Sequence, residues 1–123
     1  MSNIPSIVLS SISFGQVYPP YDGVSSDFAS DKLRGNGYYG YTDGLHTTSY
    51  QLTRFYGIVQ MQATLVSDPT EADWFVVPET TIGDGSSEIN GTFYANFTGN
   101  FVWCRCAVTS FTGGIINRVL YNT

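Results

Sequence analysis

Gly99-Asn100-Phe101-Val102-Trp103-Cys104-Arg105-Cys106-Ala107-Val108-Thr109-Ser110-Phe111-Thr112-Gly113-Gly114-Ile115-Ile116-Asn117-Arg118-Val119-Leu120-Tyr121 is the stretch that decides the fold. In an extended chain successive side chains alternate between two faces, so Val102, Cys104, Cys106 and Val108 share one side. Phe101, Trp103, Arg105, Ala107 and Thr109 share the other. Thr112-Gly113-Gly114 then offers residues that tolerate positive φ, and Ile115 to Tyr121 resumes a β-branched, apolar run. The pattern predicts two strands joined by a short hairpin loop.

Working outward, a similar alternation runs from Gly57 to Leu65, with Val59, Met61, Ala63 and Leu65 on one face and Ile58, Gln60, Gln62 and Thr64 on the other. This predicts a half-buried antiparallel strand. The expected core therefore joins Val102, Cys104, Cys106 and Val108 to Val59, Met61, Ala63 and Leu65, between two sheets. His46 to Arg54 and Thr92 to Phe97 read as further strands, and Trp74 to Val77 as a short one stopped by Pro78. Ser67 to Asp73 predicts a single helical turn capped by Asp68, with Pro69 at its first position. The polar Glu79 to Asn90 segment reads as a surface loop.

The chain has 123 residues, enough for one modest core. Thirteen glycines, 15% aromatic residues and only 12% charged residues describe a turn-rich β protein. A net charge of -5 with five Lys and Arg excludes binding nucleic acid through its phosphates. The acids concentrate between Ile58 and Asn90 (Asp68, Glu71, Asp73, Glu79, Asp84 and Glu88), where no Lys or Arg occurs. That run reads either as a solvated loop or as a complement to a neighbouring subunit.

Cys104 and Cys106 lie two apart on one strand, about 6.6 to 7 Å between Cα atoms, which is poor disulfide geometry. Both are read as reduced and buried, which suits a reducing compartment. With only one histidine, far away in sequence, a C-x-C pair is not a metal site. Asp84-Gly85-Ser86-Ser87-Glu88 lacks the alternating oxygen ligands of a calcium loop. His46 has no nucleophile or carboxylate at a catalytic spacing and is read as structural. Neither a catalytic residue nor a cofactor or metal site is assigned, and no enzyme activity is expected. Met1 to Leu9 lacks the positive region of a signal peptide, and no apolar run has the length of a membrane helix. The sequons at Asn90 and Asn96 are accordingly read as coincidental.

The N-terminal third is harder to place. Ile4 to Tyr18 holds one or two extended segments, which either join the domain's own sheet or reach a neighbour. Tyr18-Pro19-Pro20-Tyr21-Asp22-Gly23 breaks any regular element. The division expected is an N-terminal arm and Gly/Tyr-rich loop over residues 1–45, followed by a β-domain over 46–123. Ile7, Leu9 and Phe14 on the arm are the expected partner contacts. Tyr38, Tyr39 and Tyr41 in the loop stack on a sugar, on a partner, or on the chain's own sheet.

Gln62-Ala63-Thr64-Leu65, Asp68-Pro69-Thr70-Glu71-Ala72-Asp73-Trp74-Phe75, Phe97-Thr98-Gly99-Asn100-Phe101-Val102-Trp103 and Phe111-Thr112-Gly113-Gly114-Ile115-Ile116-Asn117 occur in that order. Together they make roughly residues 46–122 resemble a small β-sandwich domain of virion structural proteins from large tailed phages, particularly those of cyanobacteria. The cysteines at 104 and 106 depart from that pattern, and the N-terminal third carries no likeness.

The resemblance implies an all-β, antiparallel β-sandwich, jelly-roll-like or Ig-like, with an extended arm and long loops. It also implies a non-enzymatic virion component, a head decoration or a tail, neck or fibre protein. Its expected partners are other virion proteins and further copies in a symmetric particle, with no nucleic acid and no membrane. The expected location is the virion, assembled in the host cytoplasm. The alternative of a different class is a carbohydrate-binding module for host recognition, with Tyr38, Tyr39, Tyr41 or Trp74 as its aromatic contacts.

Overall fold

A computed structural model describes residues 6–19, 21–35 and 44–122. The chain is all-β, and its described residues form seven strands in one antiparallel sheet. These are β1 (Ser6–Ser13), β2 (Phe28–Ala29), β3 (Leu33–Arg34), β4 (Leu45–Thr64), β5 (Phe75–Val76), β6 (Ile89–Thr98) and β7 (Trp103–Asn122). Two short 3-10 turns, Glu71–Asp73 and Pro78–Thr80, flank β5.

The sheet is organised on β4 and β7, each 20 residues long, which pair antiparallel from Thr47 opposite Asn122 to Thr64 opposite Trp103. Near one end of this ribbon β6 adds to β4 and β1 adds to β7. Near the other, β5 adds to β4, while β2 and β3 add to β7. A straight strand separates residues 17 apart by roughly 55 Å. The Tyr121 hydroxyl nevertheless lies 3.4 Å from the Cys104 Sγ on the same strand. The ribbon therefore doubles back, and its two halves meet across one core.

Bulges make the fold-over. Along β4 the buried positions are His46, Thr48, Tyr50 and Leu52, then Phe55, Val59, Met61 and Ala63, so the inward parity changes from even to odd. The change falls at Arg54, whose φ is 50°, where the β4–β7 register shifts. On β7 the inward run Cys104, Cys106, Val108 changes parity before Phe111, at Ser110 with φ 54°. A bulge inserts one residue, flips the side-chain faces beyond it and bends the strand.

Most of the expected core is found. Val59, Met61, Ala63, Cys104, Cys106 and Val108 are fully buried, and Trp103 and Arg105 lie on the opposite face, partly covered. Leu65 is corrected: β4 ends at Thr64, the alternation stops, and Leu65 is 64% exposed. Val102 is half-buried, its N–H donating to the Thr64 carbonyl at 2.9 Å.

Two further expectations are corrected. The hairpin at Thr112-Gly113-Gly114 does not form, because β7 runs through it. Gly114, with φ +90°, sits where a Cβ would strike the Arg54 carbonyl, so it serves a bulge against β4 and not a turn. The expected all-β, antiparallel architecture is found, its strands joined in one sheet that folds over on its core. The arm is also overturned over its described part: β1 pairs with β7, and its Leu9 and Ile12 side chains are buried in the core. Tyr21, beyond the Tyr-Pro-Pro break, is buried too, against Phe28 and Phe111. The sheet thus begins at Ser6, and not at His46.

Ile12 is fully buried, and its replacement should cost about 2–5 kcal/mol. Ile12→Ala is therefore expected to lower the urea midpoint strongly, and deletion of residues 1–13 to abolish cooperative unfolding. A truncated chain that keeps a sharp transition would restore the detachable arm.

Candidate functional site

Because Cys104 and Cys106 point inward, the intervening Arg105 points outward, beside Trp103. On the outer surface the connection between β2 and β3 approaches β7 from one side. The segment leading from β4 to β5 approaches from the other. Between them is a recess of about 450 Å³ lined by Ser30, Asp31, Lys32, Pro69, Glu71, Trp74 and Arg105.

Arg105 organises the recess. Its Nε donates to the Gln62 Oε1 at 2.7 Å, across the Gln62–Arg105 strand pair. Its two terminal nitrogens donate to the two Glu71 carboxylate oxygens at 3.0 and 3.1 Å. Its guanidinium lies 4.4 Å from the Trp74 ring centroid. The Arg105 side chain is 12% exposed whereas that of Glu71 is 84% exposed. Hydrogen bonding and charge attraction from Arg105 hold the Glu71 carboxyl below its ordinary range.

Backbone anchors fix the surrounding loop. The Trp103 indole N–H donates to the Ser67 carbonyl at 2.9 Å, and Lys32 Nζ lies 4.8 Å above the same indole. The Asp73 carboxylate accepts from the Thr70 N–H at 2.7 Å and from its hydroxyl at 3.1 Å. Thr70, not Asp68, is thus the cap of this turn, because the reciprocal partner stands three residues on, at Asp73. Ser30 ties the other wall to the sheet, its hydroxyl accepting from the Cys106 N–H at 2.9 Å.

Four of the six acids of the 58–90 stretch thus have individual structural roles. Besides Glu71 and Asp73, Asp84 accepts from the Ser86 and Ser87 N–H groups, which hold its carboxyl below the ordinary range. Glu88 accepts from Asn90 and Tyr56, with the same effect. Among the described residues no three His, Cys, Asp or Glu side chains are grouped to hold a metal ion, and no helix is long and apolar enough to cross a membrane.

The groups best suited to chemistry are inside. His46 is fully buried, with Nδ1 2.6 Å from the Tyr121 hydroxyl, Nε2 2.6 Å from the Gly99 carbonyl and Phe97 stacked at 4.7 Å. Both cysteines are free and buried, as their spacing predicts. Burial pushes the Cys104 thiol up to about 11 and raises Cys106 and the Tyr50 hydroxyl as well.

Of the residues assigned to partner or glycan contact, Trp74 lines the recess. Ile7 is 63% exposed on β1, and Phe14 is 46% exposed with its ring edge-on to Phe111. Leu9 is corrected to the core at 3% exposure. Tyr38, Tyr39 and Tyr41 lie outside the described residues. Lys32, Glu71 and Arg105 were not foreseen as one site, although the outward alternation of Trp103 and Arg105 was the available signal.

Buried thiols set a pH dependence. In the unfolded chain Cys104 ionises near 9.0, whereas in the fold it holds its proton to about 11. The unfolded state then binds fewer protons across that window, so stability is full below it and falls as pH rises. Thermal midpoints should decline from pH 9 to about 11, and a flat profile would mean that the thiols are not buried.

Compared with protein-family models, curated proteins and solved structures, the chain matches none.

Proposed function

We propose that this chain is a non-enzymatic structural component of a tailed-phage virion, a head-decoration or tail, neck or fibre protein, acting through contacts between subunits. The observation that carries this reading is an apolar surface at the β5 edge of the sheet. Val76 and Phe75 pair with Gln62 and Ala63 of β4, and Leu65 and Val66 continue just past the end of β4. Leu65, Val66, Phe75 and Val76 are 64%, 41%, 43% and 40% exposed. Among the described residues β5 has β4 as its one strand neighbour. Apolar side chains beside a strand edge are a liability on an isolated protein and an interface in an assembly.

The resemblance of residues 46–122 to virion β-domains supports the same reading. So does the commitment of His46 and both thiols to the interior, where they brace the fold. With β1 built into the sheet, docking falls to edges and exposed apolar side chains and not to a free arm.

Particles purified from an infected culture should contain the chain at a copy number matching a symmetric position, as read by quantitative mass spectrometry. Leu65→Glu with Val76→Glu, both on the surface, should change stability by no more than about 0.5 kcal/mol each. The double variant should nevertheless be missing from particles. Absence of the native chain from purified particles overturns the assignment, and normal incorporation of the variant overturns the role of this edge.

A further inference from the structure

The recess over β7 has the attributes of a binding site for a small, uncharged, hydroxyl-rich ligand. Its charges cancel, with Asp31 and Glu71 against Lys32 and Arg105. Phosphate or a polyanion would meet two carboxylates there, and a cation would meet two bases. A neutral ligand meets closely spaced donors and acceptors, which suits groups that both give and accept hydrogen bonds. Trp74 adds an aromatic surface and Pro69 an apolar one.

The polar groups are also held in place before any ligand arrives. Arg105 is fixed through Gln62, Glu71 and Trp74. The turn bearing Glu71 is fixed by the Thr70–Asp73 bonds, and the start of its loop by Trp103 on the Ser67 carbonyl. Side chains already ordered lose little freedom on binding, so weak individual contacts can add up to recognition. The volume of about 450 Å³ lies within the range of small-molecule sites.

We propose that this recess binds a neutral saccharide. The sugar's C–H face packs on Trp74, and its hydroxyls exchange hydrogen bonds with the Arg105–Glu71 pair, Asp31 and Lys32. This ligand site is separate from the apolar β5 edge and stands or falls independently of incorporation into a particle.

The chain carries two tryptophans, one lining the recess and the other beneath Lys32, so intrinsic fluorescence reports directly on the site. Glucose, galactose, N-acetylglucosamine and their β-linked disaccharides are titrated into the full chain, with glycerol as the control polyol. At least one sugar should give a saturable change with Kd of about 1 mM or below, insensitive to added salt. Calorimetry with the same sugar should show Trp74→Ala weakened by about tenfold or more. Glu71→Gln, on an exposed side chain that leaves the fold intact, should weaken it severalfold. No saturable response to any of the sugars overturns the proposal. So does equal affinity in Glu71→Gln and the native chain, response to glycerol as strong as to sugar, or binding that disappears with salt.

Discussion

The Tyr121 hydroxyl is the point at which the folded-over ribbon closes. It meets His46 at the start of β4 and Cys104 at the start of β7, so the two ends of both long strands are brought to one place. The neighbouring groups constrain the protons. The Gly99 carbonyl can only accept, so His46 Nε2 carries a hydrogen and donates to it. Nδ1 is bonded to the Tyr121 hydroxyl at 2.6 Å, and that hydroxyl donates to the Cys104 Sγ at 3.4 Å. Each such bond contributes only about 0.5–1.5 kcal/mol net, but an unpaired buried partner would cost about 1–3. The cluster therefore selects the bent state chiefly by penalising its absence, with Phe97 stacked on the imidazole to exclude water.

The bend that makes this closure is stored in a few backbone positions. Arg54 and Ser110 take left-handed φ values without being glycine, a conformation that costs energy unless the surroundings impose it. The surroundings here are the facing aromatic side chains. Phe111 packs against Phe55 at 5.7 Å and against Tyr21 at 5.2 Å, filling the inside of the corner. Bulge and aromatic filling are complementary, since the bulge turns Phe55 and Phe111 inward and their burial in turn holds the bulge.

The same corner explains what was legible in the sequence and what was not. Alternation over 102–108 and 57–63 identified the inward and outward faces, because strand periodicity is a local property. Gly113-Gly114 was misread as a hairpin loop because a turn and a bulge ask for the same residue. Only the Arg54 carbonyl, sixty positions away in the chain, separates the two cases. Likewise, Leu9 and Ile12 announced a need for burial, but local pattern does not say whose core receives them. The recess was partly visible as the Trp103 and Arg105 face. Its other half, Lys32 and Glu71, arrives from loops whose placement follows from strand pairing far from either residue.

Core and recess are finally inseparable, because they are built from consecutive residues of one strand. Cys104 and Cys106 fill the interior while Arg105 between them holds the recess, so a one-residue slip of β7 would bury a guanidinium and expose two thiols. Burying that charge without Glu71 would be far more costly than the thiol exposure. The Gln62–Arg105 bond then completes the register on the outer face that Ala63–Cys104 and Met61–Cys106 set from within. The polar pair that makes the recess suitable for a ligand is thus part of what specifies the sheet. Its stiffness comes from the fold's own need for a single register, and no separate scaffold has to supply it.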